Sequence, residues 1–320
     1  MSKVFVTGGN GFIGSYVVRH LIRSGHDVRC LLRPSSNTAR LKDLEYERVL
    51  GDVRDAKAVA DGYAGCDAIV HLACLSSWND IDSPLMTEVV EGGTRNVLAA
   101  VREHGGKLVF VSSVSAVNAS DEPKVFDETA TFQIDDPKLT YARHKVAAEK
   151  MCAESGVPVV TVNPAEVYGP DDTALITARN LVDFIKSTPV LVCNGGTSIV
   201  HVEDVAAGIV AALEKGRAGE RYILGGDNVT LKQLAELTLE LYGRKASIVT
   251  MPNSVIRAAT AAASFARIPL PYNPKVIPYA TRYWFVDNSK AKRELGVTFR
   301  SARDTLGPTI RWLKEAGHVA

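Results

Sequence analysis

The run Thr7-Gly8-Gly9-Asn10-Gly11-Phe12-Ile13-Gly14 constrains this chain more than any other feature. It follows directly on residues 4–7, a short apolar run that reads as a strand. It leads into Ile13, Val17 and Leu21, spaced for one face of a helix. Glycines at 8, 11 and 14 permit a tight turn, close approach of backbone to a pyrophosphate, and close packing of helix on sheet. The helix behind such a turn offers free N–H groups and the positive end of its dipole to an anion. A glycine triplet alone also suits a ligand-free turn. Its place between a strand and an amphipathic helix is what points to a dinucleotide.

The pattern then repeats. β-Branched runs at residues 28–32, 48–50, 68–72, 108–112 and 157–162 alternate with helical stretches, one with Val89, Val97, Ala100 and Val101 on a face. Such alternation predicts a parallel sheet with helices on both sides, and near-continuous apolar strands suit a sheet buried on both faces. After Pro164 the rhythm breaks. Strands at 190–193 and 221–224 mix with helices at 205–214, 231–242, 255–266 and 305–315, and prolines gather at Pro269, Pro271, Pro274 and Pro278. The expectation is an α/β protein. A Rossmann-type, doubly wound parallel sheet covers residues 1–162. A smaller C-terminal α/β substrate-binding domain covers 163–320, with some segments returning to the first sheet. The 320 residues suffice for two such units.

Composition excludes more than it selects. A net charge of +1 carries no basic bias of the kind nucleic acid or an anionic membrane demands. Cys30, Cys66, Cys74, Cys152 and Cys193 are scattered without a Cys-x-x-Cys pair, which suits reduced thiols and a cytoplasmic location. Residues 4–7 are too short for a secretory core, and the Ala-rich stretch 255–266, interrupted by Arg257, is too short to span a bilayer. The seven histidines show no metal-ligand spacing with acids, so no metal is expected. His71, His144 and His201 read as structural or surface groups.

Two positions bear on which nucleotide binds. Asp52 follows the third strand, where it either accepts from an adenine amino group or caps the next helix. The second strand ends Leu31-Leu32-Arg33-Pro34, where an NAD site usually carries an acid for the ribose 2′-hydroxyl. Arg33 is either a solvated loop residue or a fork for a 2′-phosphate, with Arg40 further on. The missing acid and the available cations favour NADP(H) and leave NAD(H) as the alternative.

Ser113 lies at the end of the fifth strand, the edge where reactive groups gather in open α/β sheets. Tyr141 and Lys145 stand four apart on one face of a helix over residues 141–154. A phenol is a poor base at neutral pH, with an ordinary pKa of about 10. A neighbouring ammonium and the cofactor's positive nicotinamide ring are expected to lower it, so that Tyr141 exchanges a proton with a substrate oxygen while hydride moves at carbon. Ser113 would hydrogen-bond that oxygen, and Lys145 would also hold the nicotinamide ribose.

These residues, together with Gly51-Asp52, His71-Leu72-Ala73, Gly93-Thr94-Arg95-Asn96, Asn163-Pro164, Val167-Tyr168-Gly169-Pro170 and Lys290-Ala291-Lys292-Arg293-Glu294-Leu295-Gly296, resemble the extended short-chain dehydrogenases/reductases. Coverage is nearly the whole chain. Within them the chain is similar to dihydroflavonol reductases and 3β-hydroxysteroid dehydrogenases, and residues 219–226 to sugar epimerases of hopanoid clusters. The resemblance implies Ser113, Tyr141 and Lys145 as the catalytic set. It implies cofactor contacts at Gly8, Gly11, Phe12, Ile13, Gly14, Arg33, Arg40, Asp52, Val53, Leu72, Ala73, Tyr141, Lys145, Pro164 and Val167. It places a substrate contact at Asn118; Trp78, in the loop after strand four, either lines the pocket or packs in a core. A homodimer is compatible with the resemblance.

Two departures stand out. Val90 occupies a position where relatives usually carry Asn, and the Thr-Asp-Glu triplet of sugar-nucleotide dehydratases is missing. Three readings follow. The first is an oxidoreductase that interconverts a ketone or aldehyde and an alcohol on a bulky apolar or phenolic small molecule. The second is a sugar-nucleotide epimerase that keeps NAD bound. The third is a non-catalytic nucleotide sensor. Substrate choice is expected from loops 75–83, 115–136 and 173–196 and from the second domain.

Overall fold

The structure, a computed structural model, describes residues 2–75, 77–270 and 272–320. Ser76 of the 75–83 loop and Pro271 of the proline cluster lie outside the described residues. In chain order the strands are β1 (Lys3–Thr7), β2 (Asp27–Leu32), β3 (Glu47–Leu50), β4 (Ala68–His71), β5 (Lys107–Val111), β6 (Val125–Phe126) and β7 (Val159–Pro164). There follow β8 (Glu166–Tyr168), β9 (Val190–Cys193), β10 (Gly196–His201), β11 (Arg221–Leu224), β12 (Asp227–Thr230), β13 (Ile248–Met251) and β14 (Tyr283–Val286).

Seven of these make one parallel sheet in the order β11-β7-β5-β4-β1-β2-β3. Its alternation is the two-residue period of a strand buried on both faces. Val4, Val6, Val70 and Val109 join one core with Val17 and Leu21 of the helix Phe12–Arg23. Phe5, Ile69, Leu108 and Phe110 point the other way, onto Val59, Tyr63 and Val97. The strand order reverses between β1 and β4, so the carboxyl ends of these two strands open a crevice. The Rossmann-type sheet expected from the sequence is the sheet observed.

The two halves of the chain interleave. β11 comes from the second half and pairs with β7 at the edge of the large sheet. β6 comes from the first half and pairs with β14 in the second sheet, ordered β12-β10-β14-β6 with β8 beside β10. β9 and β13 form a small parallel pair of their own.

Candidate active site

The glycine turn is shaped by contacts that only glycine survives. Gly8 has φ +76°, and a Cβ there would lie 2.7 Å from the Ala73 nitrogen. A Cβ at Gly14 would lie 2.1 Å from the Gly8 carbonyl oxygen. Gly11 donates to that oxygen at 3.0 Å and forms the N-cap of the helix Phe12–Arg23, with no side chain closing the cap. A Cβ at Gly11 would touch only the Gly8 carbonyl, at 3.2 Å, so the space before the helix end is open. Uncapped N–H groups behind an open glycine cradle fit a pyrophosphate.

A buried chain of hydrogen bonds fixes the crevice behind this turn. Thr94 Oγ1 donates to the Val90 carbonyl at 2.5 Å, so it accepts from His71 Nε2 at 3.3 Å. His71 Nδ1 then accepts from Thr7 Oγ1 at 2.6 Å, and Thr7 Oγ1 accepts from the Ala73 N–H at 3.3 Å. Burial, with the Lys145 charge second, pushes the His71 pKa down to about 3, which keeps the ring neutral as this pattern requires. Val90 itself lies in a π-helical turn, Thr87–Gly92, ahead of the helix Gly93–His104. Its carbonyl, not its side chain, makes the contact.

Asp52 does not cap the following helix. Asp55 does, accepting from the N–H groups of Lys57 and Ala58. The Asp52 carboxylate is forked by Arg54, Nε and one terminal nitrogen each at 3.0 Å, and this contact holds its pKa below the usual range. Val53 accepts from the Asn96 side chain at 2.9 Å. Arg33 is exposed beside the crevice, whereas Arg40 is tied down. The Arg40 guanidinium donates to the Asp171 carbonyl at 2.7 Å and 3.0 Å and to Thr173 Oγ1 at 2.6 Å. Of the two cations, Arg33 is the one with its fork uncommitted to neighbouring backbone.

Ser113 follows β5 and opens a short turn, its Oγ accepting from the Ser115 N–H at 3.2 Å. The helix Thr140–Glu154 brings Tyr141 against it and buries Lys145. Burial holds the Tyr141 phenol well above its ordinary pKa; Cys74 adds to the rise, the Ser113 hydrogen bond opposes it, and Tyr279 adds a further push upward. Lys145 by itself does not lower it. The ammonium donates to the Val111 carbonyl at 3.0 Å and lies 5.9 Å from the centre of the Tyr141 ring. The phenol therefore stays protonated at neutral pH.

Three residues whose role the sequence reading missed support this set. Asn163, fully buried on β7, donates to the Ser113 carbonyl at 2.9 Å and to Glu149 Oε1 at 2.6 Å. Glu149 pairs with Arg221 of β11 at 3.1 Å, and Arg221 donates to the Glu128 and Ala130 carbonyls at 2.7 and 2.6 Å. Asn163-Pro164 was visible as a sequence feature, but its partners lie on elements far apart in the chain. His144 turns away from the site onto Glu91 at 2.6 Å, and His201 caps the helix Val202–Lys215.

Apolar side chains wall the space around Tyr141. Trp78 meets Tyr279 edge-on at 5.2 Å between ring centres, and Tyr279 stacks on Trp284 at 5.8 Å. Phe132, Ile134 and Tyr141 pack on the same cluster. The Tyr279 hydroxyl accepts from the Ala142 N–H at 3.4 Å. Asn118 is buried, and its side-chain oxygen accepts from the Ala119 N–H at 3.0 Å. Among the described residues no group of three or more His, Cys, Asp or Glu could hold a metal ion.

A doubly wound sheet opening at its reversal point onto an uncapped glycine turn is the frame of an extended short-chain dehydrogenase/reductase, an NAD(P)-dependent oxidoreductase. The chain belongs to the NAD-dependent epimerase/dehydratase family, whose model matches residues 4–225. It is 30% identical to a putative dihydroflavonol 4-reductase of Synechocystis over 98% of this chain and 95% of that one. It is 30% identical to 4-hydroxy-2-methyl-3-oxo-4-farnesyl-3,4-dihydroquinoline-1-oxide ketoreductase of Stigmatella aurantiaca over 99% of this chain and 98% of that one. Among solved structures it is similar to a double mutant of the dTDP-glucose 4,6-dehydratase DesIV of Streptomyces venezuelae with NAD and DAU bound. That match has a TM-score of 0.77 at 26% identity over 98% of this chain and 97% of that one. Among the described residues no helix is long and apolar enough to cross a membrane.

Proposed function

We propose that the chain reduces a ketone or aldehyde to an alcohol on a bulky small molecule with an apolar or phenolic body, using NADP(H). The observation that carries this reading is the phenol of Tyr141 set against Ser113 at the end of β5 among apolar side chains. Reduction needs a proton donor at the substrate oxygen, and a phenol held above its ordinary pKa is one at neutral pH. A nicotinamide held in this crevice would supply hydride to the carbonyl carbon. Ser113 hydrogen-bonds the carbonyl oxygen, and Tyr141 donates its proton to that oxygen as negative charge develops there. Lys145 holds the nicotinamide ribose and keeps the Tyr141 helix against the end of β5.

Gly8, Gly11, Phe12, Ile13 and Gly14 hold the pyrophosphate, and Asp52 and Val53 the adenine. Arg33 and Arg40 flank the 2′-phosphate. Leu72, Ala73, Pro164 and Val167 line the remaining length of the nucleotide. Residues 1–162 with β11 carry the nucleotide, and most of 163–320 carries the substrate, with Asn118 and Trp78 reaching it from the first half. The Trp78, Phe132, Ile134 and Tyr279 walls suit an apolar body better than a sugar, which needs polar partners for its hydroxyls.

The test is consumption of NADPH by the purified protein with a panel of aryl and alicyclic ketones, beside an assay for co-purified nucleotide. Tyr141→Phe keeps the ring and removes the proton, so turnover should fall about a hundred- to ten-thousand-fold with folding intact. Tightly held NAD with no net consumption on any ketone would overturn the reading in favour of an epimerase.

A further inference from the structure

The helix Asn253–Phe265 turns its apolar residues outward. Val255, Ala258, Ala259, Ala262 and Phe265 recur three and four apart, form one stripe, and are all exposed. Phe265 is 92% exposed and Ile268, just beyond, 59%, while Thr260 is the only residue of the helix that is buried. A surface helix ordinarily presents polar residues to water, so this one is inverted. β13 runs through Pro252 into the helix. Its Val249 and that residue's register partner Leu191 on β9 are also exposed, which extends the apolar area.

The charge of the segment is equally one-sided. Residues 241–286 hold Arg244, Lys245, Arg257, Arg267, Lys275 and Arg282 and no Asp or Glu. Arg257, Lys275 and Arg282 pair with Asp121, Asp82 and Asp136, all outside the run. Arg244, Lys245 and Arg267 have no acidic partner within salt-bridge distance among the described residues. The whole-chain charge of +1 conceals this stretch, and a helix that lies on a membrane surface needs no bilayer-spanning length.

We propose that this face rests on an anionic lipid surface. The helix, about 20 Å long, lies in the interface plane. Phe265 and Ile268 enter the acyl boundary, and Lys245 and Arg267 meet the headgroup phosphates. A second copy of the chain is the poorer occupant, because a two-fold contact would set these cations against their own images. The face also borders the region of Tyr141. Thr260 Oγ1 and the Tyr272 hydroxyl share a hydrogen bond at 2.8 Å, and Asn273 donates to Asn79, the neighbour of Trp78, at 3.1 Å.

The test is sedimentation of the full chain with vesicles of phosphatidylcholine alone and of phosphatidylcholine with phosphatidylglycerol. Binding is expected to the second kind only, and to weaken as salt rises. Phe265→Ser with Ile268→Ser should lower it about ten-fold or more, as should Lys245→Glu with Arg267→Glu. Turnover in solution should not change in either variant, since none of these residues belongs to the site. Absence of binding to the anionic vesicles would overturn the proposal. So would equal binding by the variants, or a dimer without vesicle binding that Phe265→Ser with Ile268→Ser dissociates.

Discussion

The Lys145 ammonium donates to the backbone carbonyl of Val111 at 3.0 Å, tying the Tyr141 helix to the carboxyl end of β5. Lys145→Met keeps the length of the side chain and removes the charge. A hydrogen bond to a charged group contributes about 1.5–3 kcal/mol. If Lys145 also holds the nicotinamide ribose, nucleotide affinity should fall roughly ten- to hundred-fold. Titration of the variant with NADPH checks this, and unchanged affinity would remove Lys145 from the site.

Arg33 should decide between the two nucleotides. It is exposed at the end of β2, where no acid stands to repel a 2′-phosphate. A two-pronged guanidinium contact should give roughly a ten- to hundred-fold preference for NADPH over NADH. Arg33→Ala should abolish most of that preference and leave NADH affinity nearly unchanged. Paired dissociation constants in both proteins are the measurement. Equal affinities in the wild type would sink the assignment.

Glu149 acts on Ser113 through Asn163, as a positioning residue. Its carboxylate accepts from Asn163 at 2.6 Å while facing Arg221 at 3.1 Å. Glu149→Gln retains an acceptor for Asn163 and should lower kcat more than it raises KM. Arg221→Met strands the Glu149 carboxylate in a mostly buried position and should cost up to about 3 kcal/mol in urea unfolding. Equal losses in kcat and stability from both substitutions would assign the pair to stability alone.

His71 makes stability depend on pH in a defined direction. Its folded pKa, about 3, lies below the ordinary histidine value of 6.5, so the unfolded chain binds the proton first as pH falls. The contribution is intact above the unfolded value and is lost between there and about 3, at most ~1.4 kcal/mol per pH unit. His71→Gln should be less stable at neutral pH, yet lose less on acidification to pH 5, by about 2 kcal/mol. Urea unfolding of both proteins at the two pH values checks this. Parallel losses would show that the His71 ring is not buried neutral.

The large sheet was legible because its signal is local. Strand–glycine–helix succession and two-residue alternation, as at Val4, Phe5 and Val6, are written in neighbouring residues. Ser113, Tyr141 and Lys145 could be singled out because strand ends and four-residue helix spacing are local too. What stayed hidden was long-range. Nothing near Asn163 announces Glu149 or Arg221, and nothing near Tyr141 announces Tyr279, 138 residues away by subtraction of their sequence numbers. The surroundings that act on the Tyr141 pKa are hidden for the same reason. Spacing brings Lys145 to the right face, but only the packed structure shows its charge committed to Val111 and the phenol buried.

The pairing of β11 with β7 bears on how this protein is born. A ribosome that has delivered the chain as far as Pro164 has delivered six of the seven strands, with β7 an open edge. That edge waits until Leu224 has left the exit tunnel, through synthesis of β8, β9, β10 and the helix Val202–Lys215. During this interval the nascent sheet is a template for any other extended segment.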